Sequence, residues 1–118
     1  MRMRFVMLAI SLIAALMLNC GAAKAQPDAK SADFLMRGCR NTAKYLSPTY
    51  LSGVCDGSVG VLMSLGREFL GFCPPAEATR SQGVFVVVQY IDGQPARLHE
   101  NFEALATEAL RATWPCKN

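Results

Sequence analysis

The chain has 118 residues, of which 12 are Lys or Arg and nine are Asp or Glu, so its formal net charge is +3. The excess lies in the first 25 residues: Arg2, Arg4 and Lys24 are there, and the nine remaining bases balance the nine acids. A neutral chain has no general electrostatic attraction for nucleic acid or an acidic membrane surface, so neither is predicted as a partner. The length allows one domain.

The first 25 residues have the pattern of an export signal. Arg2 and Arg4 precede an almost entirely apolar run over residues 5–18, which is 14 residues long. A membrane-spanning helix needs roughly 20 such residues, so the run is better explained as the apolar part of a signal peptide. The small residues Ala23 and Ala25 predict cleavage after Ala25, with residues 1–25 removed.

Cys20 raises one alternative within this segment, a lipoprotein signal. Such signals prefer a small residue immediately before the modified cysteine, but Asn19 stands there. We therefore predict ordinary cleavage and a periplasmic mature chain that begins at Gln26 and has no membrane anchor.

The segment after the signal divides into a short leader and a helical domain. Residues 26–31 are polar and include a proline, which predicts a mobile leader before a single domain over residues 32–118. Apolar residues recur at helical intervals over residues 32–46, and either Ser31 or Asp33 can cap this first helix. The Ser-Pro-Thr sequence that follows breaks it.

The second apolar segment, residues 50–72, is rich in glycine. Each glycine inside a helix costs roughly 1 kcal/mol relative to alanine. Two interpretations remain open: a helix whose glycines let a neighbour approach closely, or a broken helix with a bend near Gly60. Cys73, Pro74 and Pro75 end the segment, because two prolines cannot continue a helix.

The third segment, residues 79–91, contains a valine run that favours a strand by propensity. Its apolar residues also share one helical face, and no second strand-like run exists to pair with it, so a helix is predicted. A turn over residues 92–95 follows, and Pro95 suits the first position of the last helix. That helix has an apolar stripe formed by Leu98, Phe102, Leu105, Ala109 and Leu110. The fold class is therefore all-α, a small disulfide-bonded bundle of about four helices.

Four cysteines remain after the signal: Cys39, Cys55, Cys73 and Cys116. An even number in a small exported domain predicts disulfides. Cys39 and Cys55 lie at equal distances in sequence from the turn near residue 47, and Cys73 and Cys116 at nearly equal distances from residue 94. Antiparallel helices then predict Cys39–Cys55 and Cys73–Cys116. The second pair closes the longer loop and should stabilise more.

Residues with catalytic or ligand-binding chemistry are few. His99 is the only histidine, and we place it with Arg97 and Glu100 on the solvated face of the last helix. No Cys-x-x-Cys motif is present, and the aspartates are scattered, so metal binding, redox chemistry and a paired-carboxylate site all lack support. The sequence predicts no enzyme and no cofactor.

Short motifs are distributed along the chain: Gly38-Cys39-Arg40, Gly53-Val54-Cys55-Asp56-Gly57, Phe72-Cys73-Pro74-Pro75, Val86-Val87-Val88-Gln89-Tyr90-Ile91, Pro95-Ala96-Arg97-Leu98-His99-Glu100, Ala109-Leu110-Arg111 and Trp114-Pro115-Cys116. Together they resemble the Rap/Tai family of type VI secretion immunity proteins. The resemblance implies a compact, all-helical, disulfide-bonded periplasmic domain, often a homodimer. It also implies a protein that binds a peptidoglycan amidase effector and obstructs the effector's active site.

Two exposed turns are the candidate contact regions for such a partner, residues 74–82 and residues 92–97. In the second turn the predicted partner-binding residues are Asp92, Gly93, Gln94 and Arg97. Either turn can instead be a simple connector, as most turns are. The alternative function is a small periplasmic helical stress protein or chaperone with no toxin partner.

Overall fold

The computed structural model describes residues 26–117, so the predicted signal peptide and Cys20 lie outside the described residues. Four α-helices make up most of it: α1 (Ala32–Ala43), α2 (Tyr50–Leu65), α3 (Arg80–Asp92) and α4 (Phe102–Thr113). A π-helical segment, Gly66–Leu70, follows α2, and a 3-10 turn, Pro95–Arg97, lies between α3 and α4. No β-strand occurs within residues 26–117, and the all-α prediction is confirmed.

Each α-helix begins at a polar side chain that accepts a hydrogen bond from a backbone N–H of the first turn. These caps are Ser31, Thr49, Thr79 and Asn101. Thr49 and Thr79 also form reciprocal capping boxes with the residues three positions later. A cap satisfies donors that a helix start leaves without a partner, and it typically contributes about 1 kcal/mol. The cap at Thr79 begins the valine-rich segment as a helix, as predicted.

The helices enclose one apolar core. Helix α1 packs against the other three helices, and α3 contacts both α2 and α4. Apolar residues from all four helices and from the segment before α3 are buried. They are Ala32, Leu35, Met36, Cys39, Cys55, Val59, Phe72, Val84, Val87, Ile91, Phe102, Leu105, Ala106, Ala109 and Leu110. Close packing of such side chains is the main stabilising interaction for a domain of this size.

The close-approach interpretation of the glycine-rich segment is confirmed at two positions and fails at two others. A Cβ atom at Gly60 would lie 3.0 Å from Arg80 Cδ, and one at Gly66 would overlap the ring of Phe72. The helix is unbroken through Gly60, so the predicted break there is wrong.

A Cβ atom at Gly53 or Gly57 would have no neighbour within 4 Å. The close approach between α1 and α2 occurs instead at Gly38 of α1, which lies against the backbone of Leu51. Gly53 and Gly57 therefore leave the outer face of α2 bare.

Two helix boundaries differ from the prediction. Helix α1 ends at Ala43 rather than near Leu46, because Tyr45 turns into the left-handed region at φ 53°. Helix α4 begins at Phe102 rather than at Pro95, and the residues between them form the 3-10 turn and a bend. Leu98 therefore does not belong to the apolar stripe of α4.

Backbone hydrogen bonds to α1 explain the late start of α4. The N–H groups of Ala32 and Asp33 donate to the carbonyl oxygens of Glu100 and Leu98, each at 2.8 Å, and Phe102 donates to Lys30 at 2.9 Å. These tertiary contacts use carbonyls that a helix would otherwise use internally. The same bonds fix the last residues of the segment predicted as a mobile leader.

Both disulfides are present, in the pairing that the equal offsets predict. Cys39–Cys55 joins α1 to α2 with a Cα–Cα distance of 5.2 Å. Cys73–Cys116 joins the segment before α3 to the segment after α4 with a Cα–Cα distance of 4.8 Å. The backbone N–H of Cys73 also donates to the carbonyl of Trp114 at 2.8 Å, which holds the two segments together.

Candidate partner-binding site

A network of ion pairs centred on Arg97 fixes the turn between α3 and α4. The Arg97 guanidinium donates to both carboxylate oxygens of Glu100 at 2.8 Å, and to those of Glu108 at 2.8 and 3.0 Å. The Tyr90 hydroxyl donates to the same Glu108 carboxylate at 3.1 Å. The sequence placed Arg97 and Glu100 on an ordinary solvated helix face, and this prediction is wrong. These side chains connect the turn to α3 and α4.

The network also keeps its members charged. Hydrogen bonds from Arg97 lower the pKa of Glu100 and of Glu108, with the Tyr90 hydroxyl adding to the effect on Glu108. The two carboxylates in turn raise the pKa of Arg97 above its already high ordinary value. All three groups are therefore ionised at neutral pH.

The other predicted partner-binding residues lie beside this network. The Asp92 carboxylate accepts two hydrogen bonds from Arg40 of α1, at 2.7 and 2.9 Å. The Gln94 side chain accepts one from Arg97 at 3.0 Å. Gly93 is exposed, and its φ of −74° is one that any residue adopts. The structure places all four residues in one turn. The side chains of Asp92, Gln94 and Arg97 form hydrogen bonds that hold the conformation of this turn.

His99 lies in the same region, exposed between the 3-10 turn and α4. Its predicted position on a helix surface is wrong, because α4 begins only at Phe102. Within residues 26–117 no group of three or more His, Cys, Asp or Glu side chains has the arrangement of a metal site. None of the helices within residues 26–117 combines the length and the apolar character that a membrane-spanning helix needs.

The other candidate turn, residues 74–82, borders an open cleft. The cleft has a volume of about 740 Å³ and lies between α2, from its middle onward, and residues 74–80. Arg67 and Arg80 line it, and Arg80 forms an ion pair with Asp56 of α2 at 2.9 Å. This turn therefore shapes a concave surface as well as connecting two helices.

Sequence reasoning missed a group of exposed apolar side chains around the turn between α1 and α2. Tyr45 is 87% exposed, Leu46 57% and Tyr50 83%. Tyr45 and Phe85 border a second cleft of about 440 Å³ beside α3. The sequence did contain evidence for this group, because large apolar residues flank the predicted Ser-Pro-Thr break. Exposed tyrosines at a turn are frequent in protein–protein interfaces.

The comparison with protein families shows to which class of protein this chain belongs. The family model described as Rap1a immunity proteins matches residues 13–116. The chain belongs to this family. No curated protein and no solved structure matches the chain significantly. The match confirms the resemblance to Rap/Tai immunity proteins, supports an immunity role and implies a toxin effector as the class of partner.

Proposed function

We propose that this protein is a periplasmic inhibitor that binds a peptidoglycan amidase effector and blocks the effector's active site sterically. The family match over residues 13–116 is the observation that carries the proposal, since an immunity protein protects its producer from a toxin. Steric blocking needs a stable surface that fits the toxin rather than reactive side chains. The mechanism therefore rests on shape, apolar contacts and charge.

The fixed conformation of the exposed turns supports an inhibitor of this type. Arg97 ties the turn at residues 92–97 to α3 and α4, and Arg40 ties Asp92 to α1. The buried Cys39–Cys55 disulfide holds α1 and α2, the two helices that flank the tyrosine-bearing turn. A surface that is already ordered loses little conformational entropy when it binds, so more of the contact energy appears as affinity.

The proposed compartment follows from the sequence pattern and from the cysteines. Residues 1–25 have the pattern of an export signal, and all four cysteines of the described residues are in disulfides. Disulfides persist in oxidising compartments such as the periplasm, where peptidoglycan is also found. The inhibitor would thus meet an amidase at the site of its substrate.

Coexpression tests the proposed function. Each peptidoglycan amidase effector encoded in the same genome is directed to the periplasm of a test bacterium, with and without this protein, and lysis is followed by optical density. We expect the full chain to prevent lysis by one amidase. A variant that lacks residues 2–25 is the control and should not protect, because it stays in the cytoplasm.

The outcome separates inhibition from the chaperone alternative. Equal lysis with and without the full chain, for every amidase, contradicts the proposed function. Suppressed aggregation of unrelated unfolded proteins in that case would support the chaperone. The homodimer implied by the family resemblance is tested separately by light scattering of the purified mature chain.

A further inference from the structure

The cleft beside α2 is formed by two dissimilar walls. One wall is α2 from its middle onward, where Gly57, Gly60 and Val61 face the opening. The other wall is the segment around Pro74 and Pro75, which has a restricted backbone. The cleft has a volume of about 740 Å³, which is within the range of ligand-binding sites in proteins, about 300–1,000 Å³.

The glycine wall keeps the cleft open. A Cβ atom at Gly57 would meet nothing within 4 Å, so no neighbouring part of the described chain requires glycine there. At Gly60 a Cβ atom would lie 3.0 Å from Arg80 Cδ, so the Arg80 side chain crosses the helix at this point. Glycine lowers helix stability. Its presence at Gly57 leaves the helix backbone accessible to a molecule outside the fold.

The charged side chains that line the cleft are all positive. Arg67 and Arg80 are its only charged lining residues, and no Asp or Glu is among them. Asp56 accepts a hydrogen bond from one nitrogen of Arg80 at 2.9 Å, which orients the guanidinium, and no second partner binds Arg80 within residues 26–117. Arg67 forms no ion pair with the described residues. Both arginines therefore have donors available for an external carboxylate.

We propose that this cleft binds an acidic segment of the effector protein, an extended loop carrying Asp or Glu. The carboxylates pair with Arg67 and Arg80, while the loop backbone lies against the bare face of α2 at Gly57. Arginine suits this task because its planar guanidinium binds a carboxylate through two parallel hydrogen bonds. The inference rests on the proposed function and adds to it a binding site and the chemistry of the bound segment.

A matched pair of glycine variants tests whether the cleft is occupied. Gly57→Leu fills the cleft, whereas Gly57→Ala adds only a methyl group at the same position, where a Cβ atom has no neighbour within 4 Å. Binding to a catalytically inactive form of the amidase that the full chain neutralises is measured by calorimetry. We expect Gly57→Leu to raise Kd about tenfold or more, and Gly57→Ala to raise it much less. Both variants should have a higher Tm, because leucine and alanine favour a helix more than glycine does.

A matched pair of charge reversals tests the acidic character of the bound segment. Arg67→Glu should slow association with the same inactive amidase about tenfold and reduce its dependence on salt. Arg37→Glu is the control, because Arg37 lies on α1 outside the cleft and makes only an exposed contact of 3.6 Å with Asp33. Association rates are measured by stopped-flow fluorescence at several NaCl concentrations.

The outcomes separate this inference from the proposed function. If both cleft variants bind as the wild type does, the cleft is not a contact and the inference is overturned, while neutralisation by the wild type still supports the proposed function. If only Gly57→Leu weakens binding, the proposal that the bound segment is acidic is overturned. If only Arg67→Glu weakens it, occupation of the cleft is overturned. If the wild type neutralises no amidase, the proposed function and the inference fall together.

Discussion

The two disulfides join regions that differ in burial and in position along the chain. Cys39 and Cys55 are completely buried between α1 and α2 and are 16 residues apart. Cys73 is half-buried, Cys116 is exposed, and their bridge spans 43 residues to hold the two open ends of the α3–α4 hairpin. One bridge is thus part of the core, and the other is an external clamp.

This difference separates two ways in which a disulfide stabilises a fold. Loop closure favours the clamp, because the entropy removed from the unfolded chain increases with loop length; the advantage over the core bridge is about 1 kcal/mol. Burial favours the core bridge, because its sulfur atoms contribute to close packing and its removal leaves polar or empty space in the interior. The first effect can be estimated from the sequence, whereas the second requires the structure.

Removal of the core bridge should have the largest effect on stability, because its complete burial reverses the order that loop length alone predicts from the sequence. The Cys39→Ser/Cys55→Ser variant loses about 3 kcal/mol of loop-closure stabilisation. It also buries two hydroxyl groups, and each unsatisfied buried hydroxyl costs about 1–3 kcal/mol. We expect the free energy of unfolding, measured by urea titration, to fall by about 5 kcal/mol or more. The Cys39→Ala/Cys55→Ala variant is the control and should recover part of the loss.

Removal of the clamp should have the next largest effect. We expect Cys73→Ser/Cys116→Ser to lower the free energy of unfolding by about 4 kcal/mol, with no added burial penalty at the exposed Cys116. In the wild type, dithiothreitol should reduce this bridge before Cys39–Cys55, because a reductant reaches an exposed sulfur first. Alkylation and peptide mass spectrometry give the order. A larger loss from the clamp than from the core bridge would mean that loop length outweighs burial.

The pairing of the cysteines was predictable because antiparallel helices have the same rise per residue. Turns near Pro48 and Pro95 were strong signals, so equal offsets from them located both bridges correctly. The all-α class and the helical valine segment followed from periodicity in the same way.

The local pattern could not predict where α4 begins. Its start at Phe102 depends on hydrogen bonds to Lys30, Ala32 and Asp33, which are about 70 residues earlier in the sequence and contribute nothing to local periodicity. The ion pairs of Arg97 depend on the same arrangement, so the sequence placed that side chain on an ordinary solvated face. The predicted role of Asp92, Gly93, Gln94 and Arg97 in partner binding stays a prediction.

The close approach at Gly38 allows a further test of the region around the core bridge. A Cβ atom at Gly38 would overlap the backbone carbonyl of Leu51, so the helices α1 and α2 must separate to accept one. We expect Gly38→Ala to lower the free energy of unfolding by about 2 kcal/mol, despite the better helix propensity of alanine. Urea titration provides the measurement. Gly53→Ala is the matched control; it should stabilise by about 0.5–1 kcal/mol, because its surroundings are open. Stabilisation at both positions would show that the two helices are not closely packed at Gly38.

The Arg97 network should have the smallest effect on stability, because it lies at the surface, where solvent and salt screen ion pairs. Arg97 lowers the pKa of Glu100 and of Glu108 in the folded state. Each carboxylate therefore stabilises the fold above its unfolded pKa, about 4.3, and this contribution disappears as the pH falls through the lower folded pKa. The sign follows because the unfolded chain binds the protons first.

The corresponding variant, Arg97→Gln, should thus be slightly less stable than the wild type at neutral pH, and the difference should become smaller as the pH falls. Urea titrations of both proteins at pH 7 and near pH 3 measure the difference, which should shrink on acidification. High salt at neutral pH should reduce it as well, through screening. Arg37→Gln is the control, because Arg37 has only the exposed contact with Asp33 on its own helix. A constant difference between wild type and Arg97→Gln across this pH range would mean that Arg97 stabilises the turn by packing of its aliphatic stem and not by its charge.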